Sequence, residues 1–302
     1  MERINTLNQY YRKIFGEKVY KLSLDGGFTC PNRDGTLGRR GCIFCSEGGS
    51  GDFAASRTLS VSEQLNQAKE IFSCKNTGKK YIAYFQAFTG TYAPYPYLKQ
   101  QYLEAIEPDD IVGLAIGTRP DCLPGQVMQL LSEINTKKPV FLELGLQTIH
   151  ERTARFIRRG YELPVFETAV HKCNQAGLHT ICHLILGLPG ESKEDIFETI
   201  AYLNRLPIEG VKLSMLYILK GTDLAQVYKS SPFPVYKQEE YIDLVVDCLE
   251  RLRPDIVIHR MTGDGPKDLL IAPFWSLNKR AVLNGIQKRM KERNTWQGRK
   301  EL

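Results

Sequence analysis

Strand-length apolar segments recur through the middle of this sequence, and most are followed by an amphipathic stretch of helix length. The strand candidates are 19–24, 80–87, 111–116, 139–146, 179–186 and 211–218, with a shorter seventh at 256–260. Helical periodicity falls near 60–74, 97–106, 123–135, 150–176 (broken at Gly160 and Pro164), 191–205 and 237–252. A helix between each pair of strands is a crossover long enough to bring them back side by side, so the chain is expected to be α/β with a parallel sheet under helices. No low-complexity linker or charge run divides residues 15–275. We therefore expect a main unit over 19–260, a short N-terminal extension over 1–18 and a C-terminal extension over 261–302.

The two faces of these strands differ. Successive side chains point to opposite sides of a strand. In the fourth candidate Val140, Leu142, Leu144 and Leu146 share one side, and Phe141, Glu143, Gly145 and Gln147 the other. The sixth sets Val211, Leu213 and Met215 against Lys212 and Ser214, and the fifth sets His183 against Cys182 and Leu184. The apolar sides suit packing on helices. The polar sides need partners or a ligand. A closed eight-stranded barrel fills its lumen with apolar side chains, so a polar lumen points to a partial barrel of about six βα units, opened for a ligand. No G-x-G-x-x-G follows the first strand, which counts against a dinucleotide fold.

Charge and composition narrow the setting. Hydrophobic residues make up 42% and charged residues 25% of the 302, an ordinary balance for a globular chain. No apolar run approaches the roughly 18 residues of a membrane span, and the first 15 residues contain no apolar signal core. A cytoplasmic protein without a membrane partner is expected. From Lys279 onward eight basic residues face two acidic ones, so this tail carries the whole formal net charge of +6. It is either a solvated helix or an arm that tracks nucleic-acid phosphates, with Trp296 available to stack on a base.

Eight cysteines are present. Cys74 and Cys248 lie in helix-like segments and Cys182 in a strand-like one, where a thiol behaves as a small buried hydrophobe. Cys122 and Cys173 have no assigned role. Cys30, Cys42 and Cys45 are spaced C-x11-C-x2-C in a glycine-rich loop after the first strand. Three readings compete for them. A structural zinc site wants four closed ligands. A redox C-x-x-C pair leaves Cys30 unexplained. A 4Fe–4S cluster held by three thiolates leaves one iron open for a ligand.

The cysteine loop, with Phe44 just before its last thiol, resembles that of the radical S-adenosylmethionine (SAM) superfamily. The long first spacing is similar to the elongator-catalytic-subunit-like branch. The strings FQAFTGTYAP (85–94), IGTRPDCLP (116–124), ELGLQTIHERT (143–153), ILGLPGE (185–191), LKGTDLA (219–225) and APFWSLNK (272–279) resemble its YtqA/YhcC type over nearly the whole chain. The resemblance implies a partial radical SAM barrel. It implies a 4Fe–4S cluster on Cys30, Cys42 and Cys45, and SAM on the fourth iron. It places Phe44, Gln86, Thr89, Gly90, Thr91, Glu143, Gln147, Gly187, Leu188 and Pro189 around SAM. The second-strand segment has one glycine and two threonines where the superfamily usually has Gly-Gly-Glu. Lys212, Arg119 and His183, with Lys220, map to positions that meet an anionic substrate or carry protons. One member of this group acts on modified wobble uridine of tRNA. The implied activity is conversion of carboxymethylaminomethyluridine to aminomethyluridine, with tRNA and a low-potential electron donor such as flavodoxin or ferredoxin as partners. A radical SAM enzyme acting on a small metabolite or peptide is the alternative, and a zinc-stabilised, non-catalytic RNA-binding protein a further one.

Overall fold

The computed structural model describes residues 2–301 apart from 50, 53, 73–77 and 264, so Cys74 lies outside the described residues. Helix α1 (Leu7–Phe15) precedes the first strand. Then follow β1 (Val19–Leu24), α2 (Val61–Glu70), β2 (Lys80–Phe85), α3 (Tyr95–Ile106), β3 (Ile111–Thr118), α4 (Gly125–Asn135), β4 (Val140–Gln147), α5 (Glu151–Phe156), α6 (Leu163–Gln175), β5 (His179–Leu186), α7 (Lys193–Asn204) and β6 (Gly210–Met215). The chain closes with β7 (Ile218–Leu219), α8 (Asp223–Ser230), α9 (Gln238–Arg251), β8 (Val257–Arg260), β9 (Leu270–Ala272) and α10 (Lys279–Glu292).

Seven strands pair in parallel in the order β1-β2-β3-β4-β5-β6-β8. The sheet is curled into a partial barrel whose edges are β1 and β8. The antiparallel pair β7–β9 stands apart. The expected strands are present, with one difference. The run 211–218 is two strands, because the chain leaves the main sheet after Met215 and Ile218 pairs with Ala272 instead. The helical stretch 150–176 is broken into α5 and α6 around Gly160, whose φ is 84°, and Pro164 sits in the first turn of α6, where its missing N–H costs nothing. Helix α8 and strand β9 carried no legible signal.

The strand faces divide the core. Leu22, Phe85, Leu114, Leu142, Leu144, Cys182, Leu184, Val211 and Leu213 point outward and pack under the helices. The inner face is apolar at its base, where Tyr11, Ile82, Ala115, Phe141 and Ile181 meet. Helix α1 supplies Tyr11 as a plug, its ring 5.8 Å from that of Phe141 in an edge-on arrangement. The N-terminal extension thus closes one end of the lumen, and the wet end lies at the strand C-termini.

The tail helix is docked against α9. Val282, Ile286 and Met290 of α10 are buried. Arg289 pairs with Asp243 and Glu239, Arg293 with Asp243 and Asp247, and Lys300 with Glu250. These three cations are held by the acidic face of α9 rather than extended into solvent.

Candidate active site

The loop between β1 and α2 is fixed by its own backbone and by one asparagine. The Cys30 carbonyl accepts from the N–H groups of Arg33 and Asp34 at 2.7 and 3.1 Å, and the Cys42 carbonyl from that of Cys45 at 3.0 Å. Asn32 donates through Nδ2 to Cys42 Sγ at 3.4 Å and to the Arg158 carbonyl at 2.8 Å, which ties the thiol loop to the turn after α5. A Cβ on Gly160 would stand 2.6 Å from Asn32 Oδ1, so that turn needs glycine both for its backbone and for this approach. Arg33 donates to the Cys45 and Ser46 carbonyls at 3.2 and 2.5 Å. Cys30, Cys42 and Cys45 all line one cavity of about 410 Å³ at the strand C-termini. Burial, with Cys45 beside it, pushes the Cys42 thiol up to about 12.

The inner face of the sheet forms the rest of this cavity. Glu143 is its buried hub. Its carboxylate accepts from Lys21 at 2.5 Å, from His183 Nε2 at 3.0 Å, and from Lys212 and the Tyr84 hydroxyl. Lys212 also donates to the Tyr84 oxygen at 3.0 Å. Burial works against the charge on Glu143, but Lys21 and Lys212 outweigh it and hold the carboxyl well below the usual range. Burial lowers Lys212 to about 7 even though Glu143 pulls the other way. His183 is lowered to about 4 by burial and by Lys212, so it is a neutral imidazole near pH 7. Arg119 is spent on a two-pronged pair with Asp121, at 2.9 and 2.7 Å, and on the Arg159 carbonyl at 2.8 Å.

Phe44, Gln86, Thr89, Arg119, Glu143, Gln147, His183 and Lys212 all line the cavity with the three cysteines. Gln147 ends β4 just past a register shift between Gly145 and Gln147, and its φ of 64° is one that few side chains adopt. Five expected SAM neighbours are not on the lining. Gly90 is pressed against β3, its N–H donating to the Gly117 carbonyl at 2.9 Å. Thr91 is turned to Thr118 and the Cys122 carbonyl. Leu188 is buried in a separate apolar cluster with Ile43 and Ile157, Gly187 faces the Tyr236 ring, and Pro189 continues that turn. Lys220 donates to the Asp268 carbonyl at 3.1 Å, also off the lining. The lining adds residues not singled out from the sequence, among them Ser23, Tyr84, Tyr161 and Arg260, and Lys21 joins them through Glu143. Alternation along β1 and β2 sets Lys21, Ser23 and Tyr84 on the inner face.

The family model of the Radical SAM superfamily matches residues 35–203, and that of the Radical_SAM C-terminal domain matches residues 208–292. The chain belongs to the radical SAM superfamily. It is 44% identical over 298 residues to the uncharacterized protein YtqA of Bacillus subtilis (strain 168), covering 99% of this chain and 92% of that protein. It is 38% identical over 277 residues to protein YhcC of Escherichia coli (strain K12), covering 91% and 88%. Among solved structures, the archaeal Methanocaldococcus infernus Elp3 with an N-terminal deletion superimposes with a TM-score of 0.68 at 16% identity, over 92% of this chain and 64% of that one. At that identity the likeness shows the fold. A radical SAM enzyme of the YtqA/YhcC type uses a 4Fe–4S cluster and SAM and needs a reductant, which sets aside the non-catalytic, zinc-stabilised reading. No helix among the described residues is long and apolar enough to cross a membrane.

The residues fit the cluster of this radical SAM chain. Three free thiols line the one cavity, and burial disfavours bare thiolate charge at Cys42, which cluster iron would neutralise. The Asn32 N–H directed at Cys42 Sγ is of the kind that tunes cluster potential. Among the described residues no three His, Cys, Asp or Glu side chains converge on one metal ion, whereas a 4Fe–4S cluster takes each thiolate on a separate iron and so does not need that convergence.

Proposed function

We propose that this radical SAM enzyme removes the carboxymethyl group of carboxymethylaminomethyluridine at the wobble position of tRNA, leaving aminomethyluridine. The observation that carries the reading is that the three thiols and a cationic floor share one cavity. With the cluster and SAM bound, reductive cleavage of SAM supplies a radical able to take a hydrogen atom from an unactivated C–H bond. Cys30, Cys42 and Cys45 would hold the cluster. Phe44, Gln86, Thr89 and Gln147 wall the space for SAM, while Gly90, Thr91, Gly187, Leu188 and Pro189 support the loops behind that wall. Glu143 keeps Lys212 and His183 in place at the floor and is a positioning residue. His183 is neutral, so its unprotonated ring nitrogen can accept the proton released by the substrate amine. Arg119 braces the Cys42 side of the cavity through the Arg159 carbonyl. Loss of a hydrogen atom from the carboxymethyl carbon, of the amine proton to His183 and of one electron back to the oxidised one-electron carrier gives an imine, and water splits it into the aminomethyl product and a two-carbon aldehyde acid. The electron source in this cytoplasmic setting is a flavodoxin or ferredoxin.

The ion pairs of the tail favour a second reading. With Arg289, Arg293 and Lys300 engaged by α9, three of the eight tail cations are withdrawn from tracking tRNA, which weakens that reading relative to a carboxylated small molecule or peptide. Nucleoside analysis of tRNA from cells lacking the protein separates the two. Carboxymethylaminomethyluridine should accumulate and aminomethyluridine fall; an unchanged profile would refute the tRNA reading.

A further inference from the structure

The cavity floor carries more positive charge than its carboxylate neutralises. Lys21 and Lys212 are both spent on Glu143. Burial holds His183 and His259 neutral. Arg260 adds a further charge near Tyr84, His183 and Lys212. Among the described residues no hydrogen bond or ion pair engages its guanidinium, whereas Arg33, Arg119 and Arg159 on the same lining each donate to protein oxygens.

A local irregularity aims Arg260 inward. Strand β8 pairs with β6 as Val211 with Ile258 and then Lys212 with Arg260, so His259 is an extra residue. Ile258 packs in the outer core. His259 lies against Gly210 on the inner face, where a Cβ on that glycine would sit 2.6 Å from its Nε2. Strict alternation would then send Arg260 back outward. The bulge puts it on the cavity lining instead. Bulges of this kind re-aim a side chain beside an active site.

An unpaired guanidinium drawn partly out of water is costly until an anion meets it. Its flat two-pronged donor set matches a carboxylate. Depth selects the anion's source. Arg260 stands level with Lys212, and β6 continues through Ser214 and Met215 toward the mouth. A polymer's phosphate backbone stays at the mouth, and only a group projecting from a base or a small molecule reaches the floor.

We propose that Arg260 anchors the carboxylate of the substrate and is the specificity-determining residue of this enzyme. The proposal rests on the reading that the substrate carries a carboxylate next to the reacting carbon; it does not require that substrate to be tRNA. The test uses the anaerobic enzyme loaded with cluster and SAM. The probes are N-methylglycine, which reproduces the amine and carboxymethyl fragment, and its amide. The wild type should bind the acid with millimolar affinity and the amide at least about 10-fold more weakly, as expected for a lost charge-assisted pair. Arg260→Met should weaken acid binding by about 10-fold or more and leave SAM affinity unchanged. Arg260→Lys keeps the charge without the fork and should fall between, which keeps the test decisive if the Met variant folds poorly. Equal acid binding by wild type and Arg260→Met overturns the proposal, as does absence of acid binding by the wild type. A parallel loss of SAM affinity also overturns it, because Arg260 would then hold the carboxylate of SAM. An unchanged tRNA profile in deletion cells together with Arg260-dependent acid binding would discard the tRNA reading and keep the carboxylate site.

Discussion

Glu143→Gln removes the anion from a floor of three cations while keeping shape and volume. In the wild type this carboxylate is buried and meets Lys21, Lys212, His183 and Tyr84. Removing one partner of a buried pair leaves an uncompensated charge and costs roughly 3–5 kcal/mol. At about 2–4 °C per kcal/mol for domains approaching this size, the melting temperature should fall on the order of 10 °C. Its pH dependence is a sharper check. The folded pKa of Glu143 is depressed, so its contribution is present above about pH 4.3, the unfolded value, and is lost as pH falls through the folded one. Lys212 moves oppositely. Its folded pKa is about 7 against about 10.5 unfolded, so the protonated form costs stability and the fold strengthens as pH rises from 7 to 10.5. Without Glu143 that folded pKa drops further, and the variant begins to shed the proton at a lower pH. The deficit should therefore be largest near pH 5 to 6 and shrink toward pH 7. Lys21, Arg260, His183, His259 and Tyr84 also face Lys212, and the substitution leaves all of them in place. Melting curves of wild type, Glu143→Gln, Lys212→Met and the double variant at pH 6 close a double-mutant cycle. The double variant should melt well above the sum of the two single losses. A Glu143→Gln protein within about 2 °C of wild type at pH 6, or additive losses, would refute the hub.

Further outcomes are expected at the cysteines, in the tail and at Gly145. Alanine at Cys30, Cys42 or Cys45 should abolish bound iron and SAM cleavage. Alanine at the buried Cys173 or Cys248 should keep iron and lower stability by only about 1 kcal/mol, and a full iron complement in Cys42→Ala would overturn the ligand assignment. Glutamine at Arg289 and Arg293 together should lower the melting temperature by a few degrees through lost pairs with α9. Glutamine at Lys288 and Lys291 should leave stability alone and flatten the salt dependence of tRNA binding, measured by gel shift, whereas an unchanged slope would remove the tail from any role in binding. Gly145→Ala places a Cβ 2.5 Å from Gln147 Nε2; the amide must swing away, so SAM affinity should fall several-fold by equilibrium binding while the melting temperature holds.

The parallel α/β architecture, the polar lumen and the tight cysteine group were open to inspection in the sequence, because each rests on local geometry. Side-chain period 2 is a property of the extended backbone itself, so Glu143, Gln147, His183 and Lys212 could be set on inner faces without knowledge of neighbours. Short spacing likewise kept Cys42 and Cys45 together. What those groups meet was decided elsewhere. Lys21 reaches Glu143 across 122 residues and two intervening strands only because the sheet curls. That curl turns one free carboxylate into a hub, and turns Lys212 from a free cation into a spent one. Alternation assigns Arg260 to the outer face, and a bulge that no residue type announces reverses it. The tail shows the same division. Its charge can be counted along the chain, but whether Arg289 and Arg293 are solvated or bound depends on Asp243 and Asp247, some 50 residues away on a helix packed alongside. Local covalent geometry fixes which way a side chain points; only the folded chain decides what stands opposite it, and charge is neutralised or left free by what stands opposite.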